Sequence, residues 1–185
     1  VYGAVDPALE LIFEAEPNDT LTDANNLVID QSIEGRLGSS TDNDFYRVQM
    51  LAPVYVDLVF ECPGTDTQKQ FAISVYNSSE ANLISNFTVA EGQAAAFPMG
   101  LNIAEYFIKV SGLGEDVETN RSYVLTLRPS SYPDIEIESN NTILFANAIS
   151  KGQAKTGTIY SAGDIDFYGF DAIEIGAIHV NFTPS

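Results

Sequence analysis

The sequence predicts an all-β protein, an antiparallel β-sandwich followed by a partial second copy of itself. Two observations carry this fold class. Short segments rich in valine, isoleucine, phenylalanine and tyrosine alternate in polarity and are separated by turn residues at regular intervals. In addition, residues 14–60 reappear in recognisable form about 120 residues further along the chain.

The individual strands follow from these segments. They are predicted at residues 31–37, 44–50, 54–61, 70–76, 82–89, 103–110 and 122–128. Glycine, proline and asparagine clusters between them indicate turns, among them Pro63-Gly64 and Pro98-Met99-Gly100. One or two helical turns are predicted at residues 20–27, after Asp19 or Thr20 as N-cap, and at the equivalent residues 142–149.

Composition limits the function classes. The chain has 185 residues, enough for one ordinary domain or two small ones, and 26 acidic against 8 basic residues give it a net charge of −18. Such a charge repels phosphates, which argues against nucleic acid and anionic membrane surfaces as partners. No apolar run approaches the about 20 residues that cross a bilayer. The carboxylate excess indicates either salty surroundings or cation binding.

Two scarce residue types argue against catalysis and cross-linking. Cys62 is the only cysteine, which excludes a disulfide framework and a cysteine-based zinc site. We expect a partly buried thiol at a strand end, with an intermolecular disulfide as the alternative. His179 is the only histidine, and we interpret it as a residue on a strand face rather than a general base. The sequence thus predicts a protein without catalytic activity.

The internal repeat defines the domain organisation. Of the 47 positions from Glu14 to Phe60, 14 are identical to the residue 122 positions later, where unrelated sequences would share roughly three. We therefore predict a lead-in segment at 1–13, a complete sandwich at 14–130, a linker at 131–135 and the first part of a second repeat at 136–185. The second repeat would contribute three strands, at residues 153–159, 166–173 and 177–182, too few to form a closed domain in a lone monomer.

The identities concentrate in two acidic clusters. In an extended strand Glu14 and Glu16 point to one side, and Asn18 and Asp19 follow at a turn. A second cluster puts two further carboxylates on one side of a strand, with no basic residue inside either segment. A hard divalent cation bound by oxygen ligands would relieve the repulsion, and Ca²⁺ suits such a set. The predicted ligands of the first site are Glu14, Glu16, Asn18, Asp19, Asp42 and Asp44.

The second repeat carries the same clusters. At the position of Asp19 the second repeat has Asn141, which removes one charge and predicts weaker cation binding there. The alternative for both clusters is that they are turn and cap residues on an acidic surface. The predicted ligands of the weaker second site are Glu136, Glu138, Asn140, Asp164 and Asp166.

The order of these motifs resembles a known family. Glu-x-Glu-Pro-Asn-Asp from Glu14, then Ala24-Asn25, Gly35, Asp-x-Asp-Phe-Tyr from Asp42, and the late run 106–110 are similar to the bacterial pre-peptidase C-terminal domain family, which is related to the collagen-binding domains of clostridial collagenases. The resemblance spans residues 14–128 and, in part, 136–183. It implies a jelly-roll-like β-sandwich in secreted bacterial proteins, often beside a hydrolase domain. It also implies that the two acidic clusters supply calcium ligands, as they do in calcium-binding relatives, although some members bind no calcium. Residues for collagen contact are not recognisable.

From these observations we predict a non-catalytic extracellular module, secreted or at the cell surface, that binds Ca²⁺ and helps a larger secreted protein attach, fold or orient. Its partner would be an extracellular protein or polysaccharide, with neither nucleic acid binding nor membrane insertion. One alternative is a structural repeat subunit of a cell-surface fibre or layer, which would self-assemble by strand complementation through the partial repeat. Another is a fragment of a secreted hydrolase that lacks its catalytic domain.

Overall fold

The structure, a computed structural model, describes residues 10–78, 83–113 and 121–184. Strands dominate these ranges, and a 3₁₀ helix at Ile143–Phe145 is the single helical element within them. The strands are β1 Glu10–Phe13, β2 Asn25–Asn26, β3 Gln31–Leu37, β4 Asn43–Gln49, β5 Val54–Glu61, β6 Gln70–Asn77, β7 Leu83–Ala90, β8 Ala94–Leu101, β9 Glu105–Leu113, β10 Arg121–Pro129, β11 Ile137–Glu138, β12 Asn147–Ala148 and β13 Tyr168–Gly169.

The long strands β3 to β10 form two antiparallel layers with the orders β3-β10-β5-β8 and β4-β9-β6-β7. Apart from the β6–β7 hairpin, every connection between consecutive long strands crosses from one layer to the other. This connectivity is that of a jelly roll, two Greek keys folded into a double sheet. The predicted all-β sandwich is therefore confirmed. The sheets are mixed, because the short strands β1, β2 and β11 add to their edges in parallel.

The core lies between the two layers and is rich in aromatic residues. Alternation along β5 buries Leu58 and Phe60, and the Tyr123 ring on β10 stacks on Phe60 with centroids 5.1 Å apart. Phe71 of the facing layer packs against the Phe60 ring, with the two ring centroids 5.3 Å apart. Each such side chain contributes about 1.5–3 kcal/mol when it is removed from water. This packing brings β10 of one layer close to β4 of the other, where the acidic residues lie.

Several strands were not predicted, and two of them, β1 and β8, bear on the position of the acidic residues. β1 falls in the lead-in segment, and its parallel pairing with β3 sets the direction of the acidic residues that follow. The stretch around Pro98 and Gly100 was interpreted as a turn, and this prediction was wrong, because it forms the second half of β8. Strand Pro and Gly are tolerated near a sheet edge, and Gly100 has a steric role: a Cβ there would lie 3.0 Å from the Ile137 Cα.

The predicted helical turns at residues 20–27 are absent. A tight turn forms instead: Asp23 N–H donates to the Thr20 carbonyl at 3.1 Å, and the Thr20 hydroxyl donates to the Asp23 carboxylate at 2.7 Å. β2 follows and pairs with β4, so long-range strand pairing replaces the local helix. The equivalent region 142–149 has the short 3₁₀ helix and then β12. No helix in the described part of the chain has the length and apolar character to span a bilayer.

The second repeat differs from the prediction of three full strands. Residues 153–159 contribute one isolated bridge, residues 166–173 contribute only β13, and residues 177–182 form no strand. In the first repeat the equivalent strands are held by β8, β9 and β10, whose counterparts the described second repeat does not contain. Val180 and Phe182 are 80% and 87% exposed, whereas their counterparts Leu58 and Phe60 are fully buried. The domain boundaries themselves stay a prediction.

Candidate metal centre

The first acidic segment continues directly from β1. Glu14 N–H donates to the Glu34 carbonyl at 3.0 Å, so the pairing with β3 extends by one residue. The Asn25 side chain then fixes Ala15 from both directions, accepting from its N–H at 2.7 Å and donating to its carbonyl at 2.9 Å. These contacts hold the segment extended, which explains why Asn25 recurs in the second repeat.

Three carboxylates and one amide converge beyond this point. Glu14, Glu16 and Asp44 place carboxylate oxygens within 4.8 Å of one another. Asn18 is fully buried among them, and one atom of its side-chain amide lies 3.1 Å from Glu16 Oε2 and 3.2 Å from Asp44 Oδ1. In the absence of an ion, that atom is the amide nitrogen, which donates to both carboxylates; rotation of the amide by half a turn would present its oxygen to a bound cation.

Two tyrosines close one side of this cluster. Tyr46 on β4 donates its hydroxyl proton to Glu14 Oε2 at 2.8 Å, and Tyr123 on β10 donates to Asp44 Oδ2. Their hydroxyl oxygens are 2.6 Å apart. Gly35 on β3 leaves room for them, because a Cβ there would lie 2.5 Å from the Tyr123 hydroxyl. Burial raises the pKa of both phenols, so both keep the protons that they donate.

Asp19 and Asp42 lie beside the group of three rather than in it. Asp19 Oδ1 accepts from Asn43 N–H at 3.3 Å, and the Asp42 carboxylate accepts from Gly38 N–H. Burial and then the neighbouring Asp19 carboxyl raise the pKa of Asp42. The structure thus brings four of the six predicted ligands of the first site together and places the other two next to them.

The electrostatics favour a bound cation. Burial, followed by the charges of Glu14, Asp42 and Glu16, raises the pKa of Asp44 to about 8. Burial also raises the pKa of Glu14. The pKa of Glu16 is raised by burial and by the charges of its acidic neighbours. Without a counter-ion these charges destabilise the fold.

The donor set fits a hard divalent cation. All candidate ligand atoms are oxygens, from carboxylates and one amide, which is the preference of Ca²⁺. Glu14, Glu16, Asn18 and Asp44 would hold the ion, with Asp19 and Asp42 adding negative charge beside it.

The second cluster repeats this geometry contact by contact. Glu136, Glu138 and Asp166 have carboxylate oxygens within 4.8 Å of one another. Tyr168 donates to Glu136 Oε2 at 2.8 Å, as Tyr46 does to Glu14. Asn147 holds Ile137 as Asn25 holds Ala15, at 2.6 and 3.0 Å.

Two further residues of the predicted second site are in place as well. The Asn140 amide nitrogen donates to Glu136 Oε2 at 3.2 Å. Asp164 Oδ2 accepts from Tyr160 N–H at 2.8 Å, so it lies beside the group as Asp42 does. A Cβ on Gly157 would lie 2.6 Å from Glu136 Oε2, which accounts for the glycine shared with position 35.

The two clusters differ in one donor. Asp44 accepts a hydrogen bond from the Tyr123 hydroxyl, whereas Asp166 Oδ1 is buried with no hydrogen-bond partner. The counterpart of Tyr123 would come from a strand equivalent to β10, which the described second repeat does not have. Glu138 Oε1 and Asn140 Oδ1 are likewise buried and unpartnered. Burial and the charge of Glu136 raise the pKa of Glu138 to about 8 and that of Asp166 to about 6.

His179 and Cys62 take no part in either cluster. His179 is exposed in the segment 177–182. Cys62 is fully buried in the first core, more deeply than predicted, with its sulfur 3.6 Å from the Pro63 carbonyl oxygen.

Sequence reasoning missed the tyrosines. The repeat pairs Tyr46 with Tyr168, which could have indicated their role. Tyr123 has no counterpart within the 185 residues, so the repeat carries no signal for it.

The fold and site define a jelly-roll sandwich with an acidic oxygen cluster where the segment that follows β1 meets β4. Neither the protein-family models nor the curated proteins contain a match. Among solved structures, the chain is similar to the pre-peptidase C-terminal domain of collagenase from Bacillus anthracis, with 16% identity, a TM-score of 0.45, and coverage of 56% of this chain and 93% of that chain. It is also similar to a β-glucosidase from Paenibacillus barengoltzii, with 15% identity, a TM-score of 0.29, and coverage of 63% of this chain and 13% of that chain. The first of these is a domain of the family that the sequence motifs resemble.

Proposed function

We propose that the chain is a non-catalytic extracellular module, secreted or at the cell surface, that binds Ca²⁺ through its first acidic cluster. In this role it helps a larger secreted protein attach, fold or orient. The observation that carries the proposal is the convergence of the Glu14, Glu16 and Asp44 carboxylates within 4.8 Å of one another, with no basic side chain among them in the described part of the chain.

A ligand role explains this cluster better than catalysis does. General acid–base chemistry with paired carboxylates needs a cleft in which one carboxyl meets a substrate. Here the carboxylates converge on each other, and tyrosine hydroxyls occupy one side of Glu14 and Asp44. The ion would neutralise these charges and stabilise the sandwich by mass action, by about 2.7 kcal/mol at a concentration one hundred times Kd.

Calorimetric titration with Ca²⁺ and melting curves with and without chelator test the proposal. We expect a dissociation constant of about micromolar to millimolar, the range of weaker calcium modules. Asp44→Asn should weaken binding, whereas Asp171→Asn, at an exposed position outside both clusters, should not. No heat of binding together with an unchanged melting temperature would overturn the proposal.

A structural repeat subunit is the second candidate, favoured by the apolar side chains that the second repeat exposes. Ile173, Val180 and Phe182 are between 80% and 89% exposed. In the complete repeat, Leu58 and Phe60, the counterparts of the latter two, are covered by other strands. Strands supplied by a neighbouring chain could cover them in the same way.

A further inference from the structure

The second acidic cluster is built on the edge of the first domain. Its residue Glu138 belongs to β11, which pairs in parallel with the end of β8 in the register Ile137 to Gly100 and Glu138 to Leu101. The Glu138 carbonyl accepts from Asn102 N–H at 3.1 Å and lies 3.2 Å from the Tyr106 hydroxyl oxygen.

This docking buries the two glutamates of the second cluster more deeply than those of the first. Glu136 and Glu138 are 3% and 5% exposed, whereas their counterparts Glu14 and Glu16 are half-buried and exposed. The difference has a structural cause, because β8 covers β11 while the described chain places no strand over Ala15 and Glu16. The first domain therefore forms one wall of the second site.

The unpartnered oxygens of this cluster identify it as a ligand site. Glu138 Oε1 and Asn140 Oδ1 belong to side chains that are 5% and 0% exposed, and neither oxygen has a hydrogen-bond partner. Asp166 Oδ1 is also buried and has no hydrogen-bond partner. Buried acceptors without donors destabilise a fold, and they do so more strongly when they are charged. A divalent cation would satisfy all three.

A second contact joins the two repeats close by. Lys155 Nζ donates to the Tyr55 hydroxyl of β5 at 3.2 Å and lies 5.4 Å from the centre of the Tyr55 ring. The same ammonium group donates to the Pro133 and Ile135 carbonyls at 3.2 and 3.3 Å. Lys155 therefore reports whether the start of the second repeat is seated on the first domain.

From this arrangement we propose that a divalent cation held by Glu136, Glu138, Asn140 and Asp166 clasps the second repeat onto the β8 edge of the first domain. The inference rests on the proposed cation binding and extends it to a second site with a different role. Without the ion, burial of Glu138 against β8 opposes docking. With the ion bound, its charge is compensated, and the cation binds the docked state more tightly than the undocked one.

Lysine acetylation of the full chain, quantified by mass spectrometry with Ca²⁺ or with chelator, tests the clasp. Lys151 is exposed on the same segment and serves as internal control for reagent access. We expect Ca²⁺ to slow labelling of Lys155 relative to Lys151 about tenfold. A nearby cation would by itself favour the reactive neutral amine, so protection cannot arise from charge alone. Exchange of the Asn102 amide hydrogen should slow in parallel.

Variants separate this inference from the function on which it rests. Asp166→Asn should abolish the Ca²⁺-dependent protection of Lys155, while Glu16→Gln, at the exposed first-site position, and Asp171→Asn should retain it. Calorimetry should show two ions for the wild type and one for Asp166→Asn. Absence of any Ca²⁺ binding to the wild type would overturn both proposals. One ion that is lost in Glu16→Gln but kept in Asp166→Asn, or protection that survives in Asp166→Asn, would overturn the clasp alone.

Discussion

Tyr123 on β10 donates its hydroxyl proton to Asp44 on β4, a contact across the sandwich between residues 79 positions apart. The hydroxyl of Tyr123 also lies 2.6 Å from that of Tyr46, which donates to Glu14. The core aromatics thus reach directly into the acidic cluster. This relationship couples the first cation site to the packing of the two sheets.

Tyr123→Phe should destabilise the cation-free protein by about 1–3 kcal/mol, because the buried Asp44 oxygen loses its donor while the ring packing remains. Urea unfolding in chelator measures the change in the free energy of unfolding. Tyr132→Phe, at a residue that is 59% exposed, is the matched control and should be neutral. Equal stability of the two variants would show that the hydroxyl contact contributes nothing.

Gly35→Ala should disrupt the contacts that the Tyr46 and Tyr123 hydroxyls make with the acidic cluster. The added methyl group would overlap the hydroxyls of Tyr46 and Tyr123, and such overpacking costs about 1–3 kcal/mol. Gly176→Ala, where nothing lies within 4 Å of the new Cβ, is the control. Thermal unfolding and Ca²⁺ titration of both variants check this, and we expect only Gly35→Ala to change either.

Stability in chelator should fall as pH rises from about 4 to 8. Burial raises the pKa of Asp44 and of Glu138 to about 8, above the values of an unfolded chain. Between the unfolded and folded pKa values the native state holds more protons, so raising the pH favours unfolding. Saturating Ca²⁺ should remove or reverse this fall in stability with pH, because the bound ion takes the place of the protons on these carboxyl groups. Melting temperatures across this range measure the effect, and parallel curves with and without Ca²⁺ would contradict it.

Serine substitutions at Ile173, Val180 and Phe182 should lower any self-association of the chain, since these exposed side chains are the surface available for added strands. Size-exclusion chromatography with light scattering gives the molar mass. The control replaces Leu51, 83% exposed on the first domain, by serine. A wild type that is monomeric at all concentrations would argue against the structural-subunit function.

Prediction from the sequence succeeded where structure is local. The alternation along β5 and β6 reproduces both strands almost to the residue. It failed at β8, where Pro98 and Gly100 indicated a turn, and at Thr20–Asp23, where polar residues indicated a helix. In both places a neighbouring strand supplies pairing that no local pattern encodes.

Residue patterns alone were enough to predict an all-β protein with a repeated pair of acidic segments. Side-chain periodicity sets strand faces, and identity at fixed spacing reveals which carboxylates occur together. The contact of Tyr123 with Asp44 and the position of Glu138 on the β8 edge became visible only in the folded chain. Tyr123 and Asp44 are 79 positions apart in the chain, and Glu138 and its partner Leu101 are 37 positions apart. These contacts depend on how the strands cross between layers, which burial of the whole core selects rather than any single segment.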